Sequence, residues 1–134
     1  MVRERCSRRS LLAATAAGAT GLAGCLAEGS CRTVFEGTAE VRREGMEIYD
    51  AAAEAGQRLY VRLQRVDGPR ATVSVFDPSE AVLVSRTNVD RLEEVIEITE
   101  PGTYAVVTRN DSSTNNGRWE TTVAVYRGWC ADVY

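Results

Sequence analysis

Between residues 33 and 127 the chain repeats one local pattern: short runs of alternating apolar and polar side chains, separated by turn residues. Leu59, Val61 and Leu63 alternate with Tyr60, Arg62 and Gln64, and Ala71, Val73 and Val75 with Thr72, Ser74 and Phe76. The pattern returns at Tyr104, Val106 and Thr108, and at Trp119, Thr121, Val123 and Val125. A period of two places successive side chains on opposite faces of an extended chain, and β-branched and aromatic residues suit that half-buried surface. Asp67-Gly68-Pro69, Asp77-Pro78-Ser79, Pro101-Gly102 and Asn116-Gly117 mark reversals. The alanine-rich stretch from Asp50 to Ala55 is too short for a free-standing helix and ends in Gly56, so it reads as a strand end and turn.

Eight strands are therefore expected, at 33–41, 46–53, 58–66, 70–76, 80–86, 92–99, 103–109 and 118–127. Regular short strands at this spacing predict an all-β fold, an antiparallel β-sandwich with jelly-roll-like organisation.

The first 24 residues follow a different plan. Arg3, Arg5, Arg8 and Arg9 stand against Glu4 alone, and residues 11–24 are uncharged. A basic head before a short apolar run is the layout of a secretory signal. The run is 14 residues long, short of the roughly 20 that a membrane-spanning helix needs. The pair Arg8-Arg9 before Leu11-Leu12 points to the twin-arginine route. Leu22-Ala23-Gly24-Cys25 resembles the lipobox of prokaryotic lipoproteins and closes the apolar run. The expectation is cleavage before Cys25 and lipid on its thiol. That lipid would be a two-chain anchor, since one acyl chain holds a protein only marginally. The organisation expected is a signal peptide at 1–24, a lipidated tether at 25–30 and a β-sandwich at 31–134, held at the outer face of the cytoplasmic membrane.

Cys6 leaves with the signal and Cys25 takes the lipid, so Cys31 and Cys130 remain at the two ends of the mature domain. An even pair in an exported protein is expected to form a disulfide. With no histidine in the chain, two thiols match structural zinc poorly, and no metal or cofactor is expected. The bridge also fixes a parity. Antiparallel strands alternate in direction, so an even number returns the chain to the end where it began. Eight strands bring Cys31 and Cys130 to one end, near the membrane, together with the connections at 54–57, 77–79 and 100–102. The distal end would hold Arg42–Gly45, Asp67–Pro69, Thr87–Arg91 and Asn110–Gly117, and those loops are the expected place for a partner.

Gly56-Gln57-Arg58-Leu59-Tyr60, Asp77-Pro78-Ser79 and Pro101-Gly102-Thr103-Tyr104 occur in an order that resembles GOLD-type and pre-peptidase C-terminal β-sandwich domains. The likeness covers roughly residues 33–127. Glu80 stands where those families usually carry glycine after Asp-Pro-Ser. The resemblance implies an accessory, non-catalytic extracellular module.

Composition narrows the function classes. Without the signal the chain keeps 12 arginines against 18 acids, a net charge of −6, and it has no lysine. That balance argues against nucleic acid as a partner and suits a GC-rich, salt-adapted prokaryote of haloarchaeal type. No enzyme is expected: the absence of histidine removes the commonest general base, and no serine sits in a nucleophile elbow. Glu93, Glu94, Glu97 and Glu100 form the densest acidic cluster and read as a solvated strand face rather than a carboxylate dyad. Asp111 with Asn110, Asn115 and Asn116 offers oxygen ligands but fits no EF-hand spacing, and reads as a turn. Asn110-Asp111-Ser112 is an N-glycosylation sequon, which makes Asn110 a candidate acceptor. Trp119 is expected in the core, Trp129 against the disulfide, and Tyr60 and Tyr126 exposed. The function expected is a membrane-anchored surface lipoprotein whose β-sandwich binds a surface protein or glycan through its distal loops. The alternative is a small carbohydrate-binding module of the envelope, with Tyr49, Tyr60 and the tryptophans as stacking platforms.

Overall fold

In a computed structural model of the protein, residues 30–128 are described. Arg8, Arg9, Cys25, Trp129 and Cys130 lie outside them, and with them the signal, the lipid site and one half of the expected disulfide. All eight strands form: β1 (Ser30–Val41), β2 (Met46–Ala53), β3 (Arg58–Asp67), β4 (Ala71–Phe76), β5 (Val82–Val89), β6 (Arg91–Glu97), β7 (Gly102–Arg109) and β8 (Gly117–Arg127). They build two four-stranded sheets, ordered β1-β8-β3-β6 and β2-β7-β4-β5. The chain changes sheet at every connection except β4 to β5, and β2–β7, β3–β6, β4–β5 and β4–β7 all pair antiparallel. This is a jelly-roll sandwich.

Residues 33–125 form one compact unit. Its core lies between the sheets, where alternation delivers the predicted apolar set. Leu59, Val61 and Leu63 of β3, Val73 and Val75 of β4, Tyr104 and Val106 of β7, and Trp119, Val123 and Val125 of β8 are all buried. Phe35 and Tyr49 join them, with ring centroids 4.7 Å apart.

Two expectations about phase need correction. Tyr60 and Tyr126 are not exposed: they are 1% and 0% accessible. Tyr60 does stand on the face opposite Leu59 and Val61, paired across β6 with exposed Val95. Burial is continuous over Leu59–Val61 and Val123–Tyr126, however, so alternation does not mark an open face at those positions. The Tyr60 hydroxyl donates to Glu93 at 2.6 Å.

The second correction concerns β5, which starts at Val82 and runs through the segment 87–89 expected to be loop. The cause is the preceding turn. The Asp77 carboxylate accepts from the Ser79 and Ala81 amides and the Ser79 hydroxyl, and the Glu80 amide donates to the Asp77 carbonyl. That closed turn occupies residues that would otherwise begin the strand. It also holds Glu80 at a φ of 70°, a left-handed conformation that glycine adopts most easily. Further along, the β4–β5 register slips between Ala71↔Val89 and Val73↔Arg86, a bulge that contains Asn88 at a φ of 61°.

Two buried hydroxyls, those of Thr108 and Tyr49, have no hydrogen-bond partner among the described residues. Burial, followed by the Glu47 charge, pushes the Tyr49 hydroxyl pKa up to about 12. A buried polar group without a partner costs its desolvation. Thr108→Val keeps the shape and removes that cost, so it is expected to stabilise the domain by about 1 kcal/mol. Urea unfolding should show a higher midpoint at unchanged slope; a lower midpoint would reveal a partner for the hydroxyl.

Candidate functional site

The four connections expected at one end are joined there by hydrogen bonds. The Asn110 amide donates to the Val41 carbonyl, at the last residue of β1, at 3.0 Å. From that point hydrogen bonds run through the whole end. In the 42–45 connection the Arg43 amide donates to Asn116 Oδ1 and the Glu44 amide to the Ser112 carbonyl, while the Asn110 amide N–H donates to the Gly45 carbonyl. The 68–70 connection leans on the same segment. Trp119 Nε1 donates to the Pro69 carbonyl at 2.9 Å, and Gly68, at a φ of 82°, packs so closely on Asn116 that no Cβ would fit. Asn115 and Thr114 are held locally by the Ser112 hydroxyl.

The fourth connection, β5 to β6, is the single residue Asp90. Its carboxylate accepts from Arg65 Nε at 2.6 Å and Arg70 Nε at 3.0 Å, and its carbonyl accepts the Arg65 amide at 2.8 Å. Arg65 also donates to the Gly68 carbonyl. One carboxylate thus ties β3 and β4 to the crossing between sheets. Beside it, Asp111 accepts from Arg109 Nε at 2.7 Å and from the Thr72 hydroxyl at 2.6 Å.

These donors hold both carboxyls below the ordinary aspartate range. For Asp90 the hydrogen bonds from Arg65 and Arg70 are the cause, and for Asp111 those from Arg109 and Thr72. A depressed carboxylate pKa contributes stability above the ordinary value, near 3.9, and that contribution is lost as pH falls through the lower folded value. The domain should therefore weaken progressively below about pH 4. In Asp90→Asn that acid sensitivity should be reduced. A thermal midpoint equally steep in pH for both proteins would show that Asp90 takes no part.

Between the start of β4, the bulge of β5 and the 110–116 connection lies a groove of about 380 Å³, lined by Pro69, Arg70, Thr72, Thr87, Asn88, Asp111 and Ser112. A second groove of about 440 Å³ lies on the outer face of the β2-β7-β4-β5 sheet, against the Asp77–Ala81 turn; Asp50, Phe76, Glu80 and Ala105 are among its walls. The first draws on three of the four joined connections or their flanks.

The other expected site residues fall as follows. Asn110 is fully buried, and both hydrogens of its side-chain amide are engaged, by the Val41 and Asn115 carbonyls. The folded domain therefore does not present the nitrogen that a glycan would need. The residues of the calcium alternative are drawn into the fold's own hydrogen bonds: Asp111, Asn110 Oδ1 and Asn116 Oδ1 each accept from a protein donor. The glutamates are separated by their partners: Glu93 takes Tyr60, Glu94 pairs with Arg86 at 3.2 Å and Glu97 with Arg58 at 3.1 Å. Trp119 is in the core, 1% exposed. Every tyrosine and tryptophan among the described residues is buried, so none offers a stacking platform. Among these residues Cys31 is not a free thiol.

Sequence reasoning did not single out Arg70 or Thr72. The only signal was their place directly after the Asp67-Gly68-Pro69 turn, where a strand begins at the joined end.

No protein-family model matches the sequence, and no curated protein is similar enough to match. Solved structures do match. A pre-peptidase C-terminal domain of a collagenase from Bacillus anthracis is 15% identical, with a TM-score of 0.51, over 66% of this chain and 89% of its own. A periplasmic inhibitor of g-type lysozyme from Aeromonas hydrophila is 15% identical, with a TM-score of 0.45, over 73% of this chain and 84% of its own. What the first of these shares with this chain is the β-sandwich fold.

Proposed function

We propose that this chain is an exported lipoprotein whose β-sandwich acts by binding rather than by catalysis. In this reading the signal around Arg8-Arg9 directs export, Cys25 carries the lipid, and a Cys31–Cys130 disulfide closes the domain beside the membrane. The mature protein then stands on the outer face of the cytoplasmic membrane and meets a surface protein or glycan through the opposite loops. The observation that carries the binding reading is the fusion of four connections into one hydrogen-bonded surface with a groove on it. Rigid scaffolds place recognition on loops held in this way.

The test uses membrane fractionation with position-specific crosslinking. Wild type should partition with membranes and Cys25→Ala should not; retention of that variant in the membrane would remove the anchor. A photocrosslinker at Thr87 or Asn115 should capture one defined surface component, while the same group at Glu54 or Pro101 should not. Equal capture from both ends would sink the assignment of the loops.

A further inference from the structure

We infer that the groove beside Asn88 is a binding site for uncharged, polyhydroxylated ligands, that is, the sugar units of a neutral glycan. The inference rests on the reading of this end as the binding end, and it adds the ligand class.

The lining is the first reason. Thr87 supplies a hydroxyl and Asn88 an amide. The Thr72 proton is given to Asp111 and the Ser112 hydroxyl accepts from the Thr114 and Asn115 amides. Arg70 keeps the donors that Asp90 does not take, and Asp111 keeps lone pairs beyond those that Arg109 and Thr72 fill. Hydroxyls and amides both donate and accept, guanidinium only donates, and carboxylate only accepts. A ligand that must answer all of these needs groups that themselves do both, which describes sugar hydroxyls. An anion would meet Asp111 and a cation would meet Arg70, so the pair of charges disfavours ions of either sign.

The second reason is what the groove lacks. Protein partners anchor on aromatic and apolar side chains in desolvated pockets. Among the described residues the exposed large hydrophobics are Met46, Ile48, Val66, Val82, Leu83 and Val95, and none lines this groove. Its volume of about 380 Å³ falls within the usual range for small-molecule sites.

The third reason is the backbone. Asn88 is exposed and sits in the left-handed region at the bulge, one residue before the end of β5. Such conformations cost of order 1 kcal/mol and concentrate at binding sites, where they aim a side chain. A bulge built only for the fold would be served better by glycine, which adopts this φ freely. Asparagine there keeps an amide at the groove wall. Arg70 and Asp111 are fixed in turn by Asp90 and by Arg109 with Thr72, so the polar groups are oriented before a ligand arrives.

The test is an NMR titration of the full mature chain in detergent micelles with glucose, galactose, mannose and N-acetylglucosamine and with their β-linked oligomers. Acetate and lysine serve as charged controls. At least one neutral sugar should shift the amides of Thr87, Asn88 and Ser112, and its oligomers should bind more tightly if the natural ligand is a polymer. Asn88→Gly should weaken that binding roughly tenfold, the size of one or two lost hydrogen bonds, while leaving thermal stability unchanged or higher. Thr87→Val should weaken binding similarly, and Asp50→Ala, in the other groove, should not. Binding of acetate or lysine but of no sugar would overturn the inference, as would silence toward every sugar or undiminished binding in Asn88→Gly. If sugars fail while the crosslinker at Thr87 still captures a partner, the binding end stands and only the ligand class falls.

Discussion

Trp119→Ala is expected to destabilise the domain by about 3–5 kcal/mol, the usual cost of emptying a large buried aromatic site. The indole is 1% exposed within the inter-sheet core, and its N–H is spent on the Pro69 carbonyl. Two losses combine in the variant. The cavity opens inside the buried core cluster, and the Pro69 carbonyl loses its donor. Trp119→Phe separates them: most of the volume is kept and the hydrogen bond is not, so a cost of about 1–2 kcal/mol is expected. Gly117 belongs to the same site, because a Cβ there would stand 2.8 Å from the indole ring. Small domains have only about 5–15 kcal/mol to lose, so Trp119→Ala should lower the urea midpoint steeply. A shift no larger than that of a surface substitution would place the tryptophan outside the load of the core.

The second large effect is expected at Asn110. Its side chain donates to the Val41 carbonyl at 3.0 Å and the Asn115 carbonyl at 2.9 Å, and accepts from the Ser112 amide at 3.0 Å. Asn110→Leu fills similar space and satisfies none of the three, leaving the buried Val41 carbonyl and two part-buried backbone groups without these partners, at about 2–3 kcal/mol. Asn110→Asp is more informative. It turns the donor into a carboxylate facing two carbonyl oxygens, so its folded pKa should rise and its stability deficit should grow as pH increases past the ordinary carboxylate range. Thermal melts from pH 4 to pH 8 would show this, and a deficit independent of pH would contradict the hydrogen-bond pattern. The same burial predicts an intact protein mass without a glycan at Asn110, and an occupied sequon would mean that this corner opens.

The strand count, the two-layer architecture and the sharing of one end by four connections were all legible before any coordinates. Each follows from alternation and from the parity of antiparallel strands, which depend on side-chain type alone. What escaped the sequence depends on groups that have no period. The phase of β5 was set by the Asp77 carboxylate closing its own turn, so Thr87 and Asn88 became a strand bulge rather than part of a loop. The burial of Tyr60 and Tyr126 is not legible because alternation tells which face a residue takes and not whether that face is open. Asn110 reads as an exposed sequon in one dimension. Its role as a buried staple between β1 and the 110–116 connection arises from partners as far as 69 positions away. The groove is the least legible part, since Arg70, Thr87 and Asp111 meet only after three separate chain reversals.

The crossing at Asp90 has a mechanical consequence. With one residue between Val89 and Arg91, the two sheets share a joint without slack, and displacement of β5 is transmitted to β6 rather than absorbed. An inserted residue would therefore be poorly tolerated at this corner. The β5 side of the groove is thus a wall that stays still.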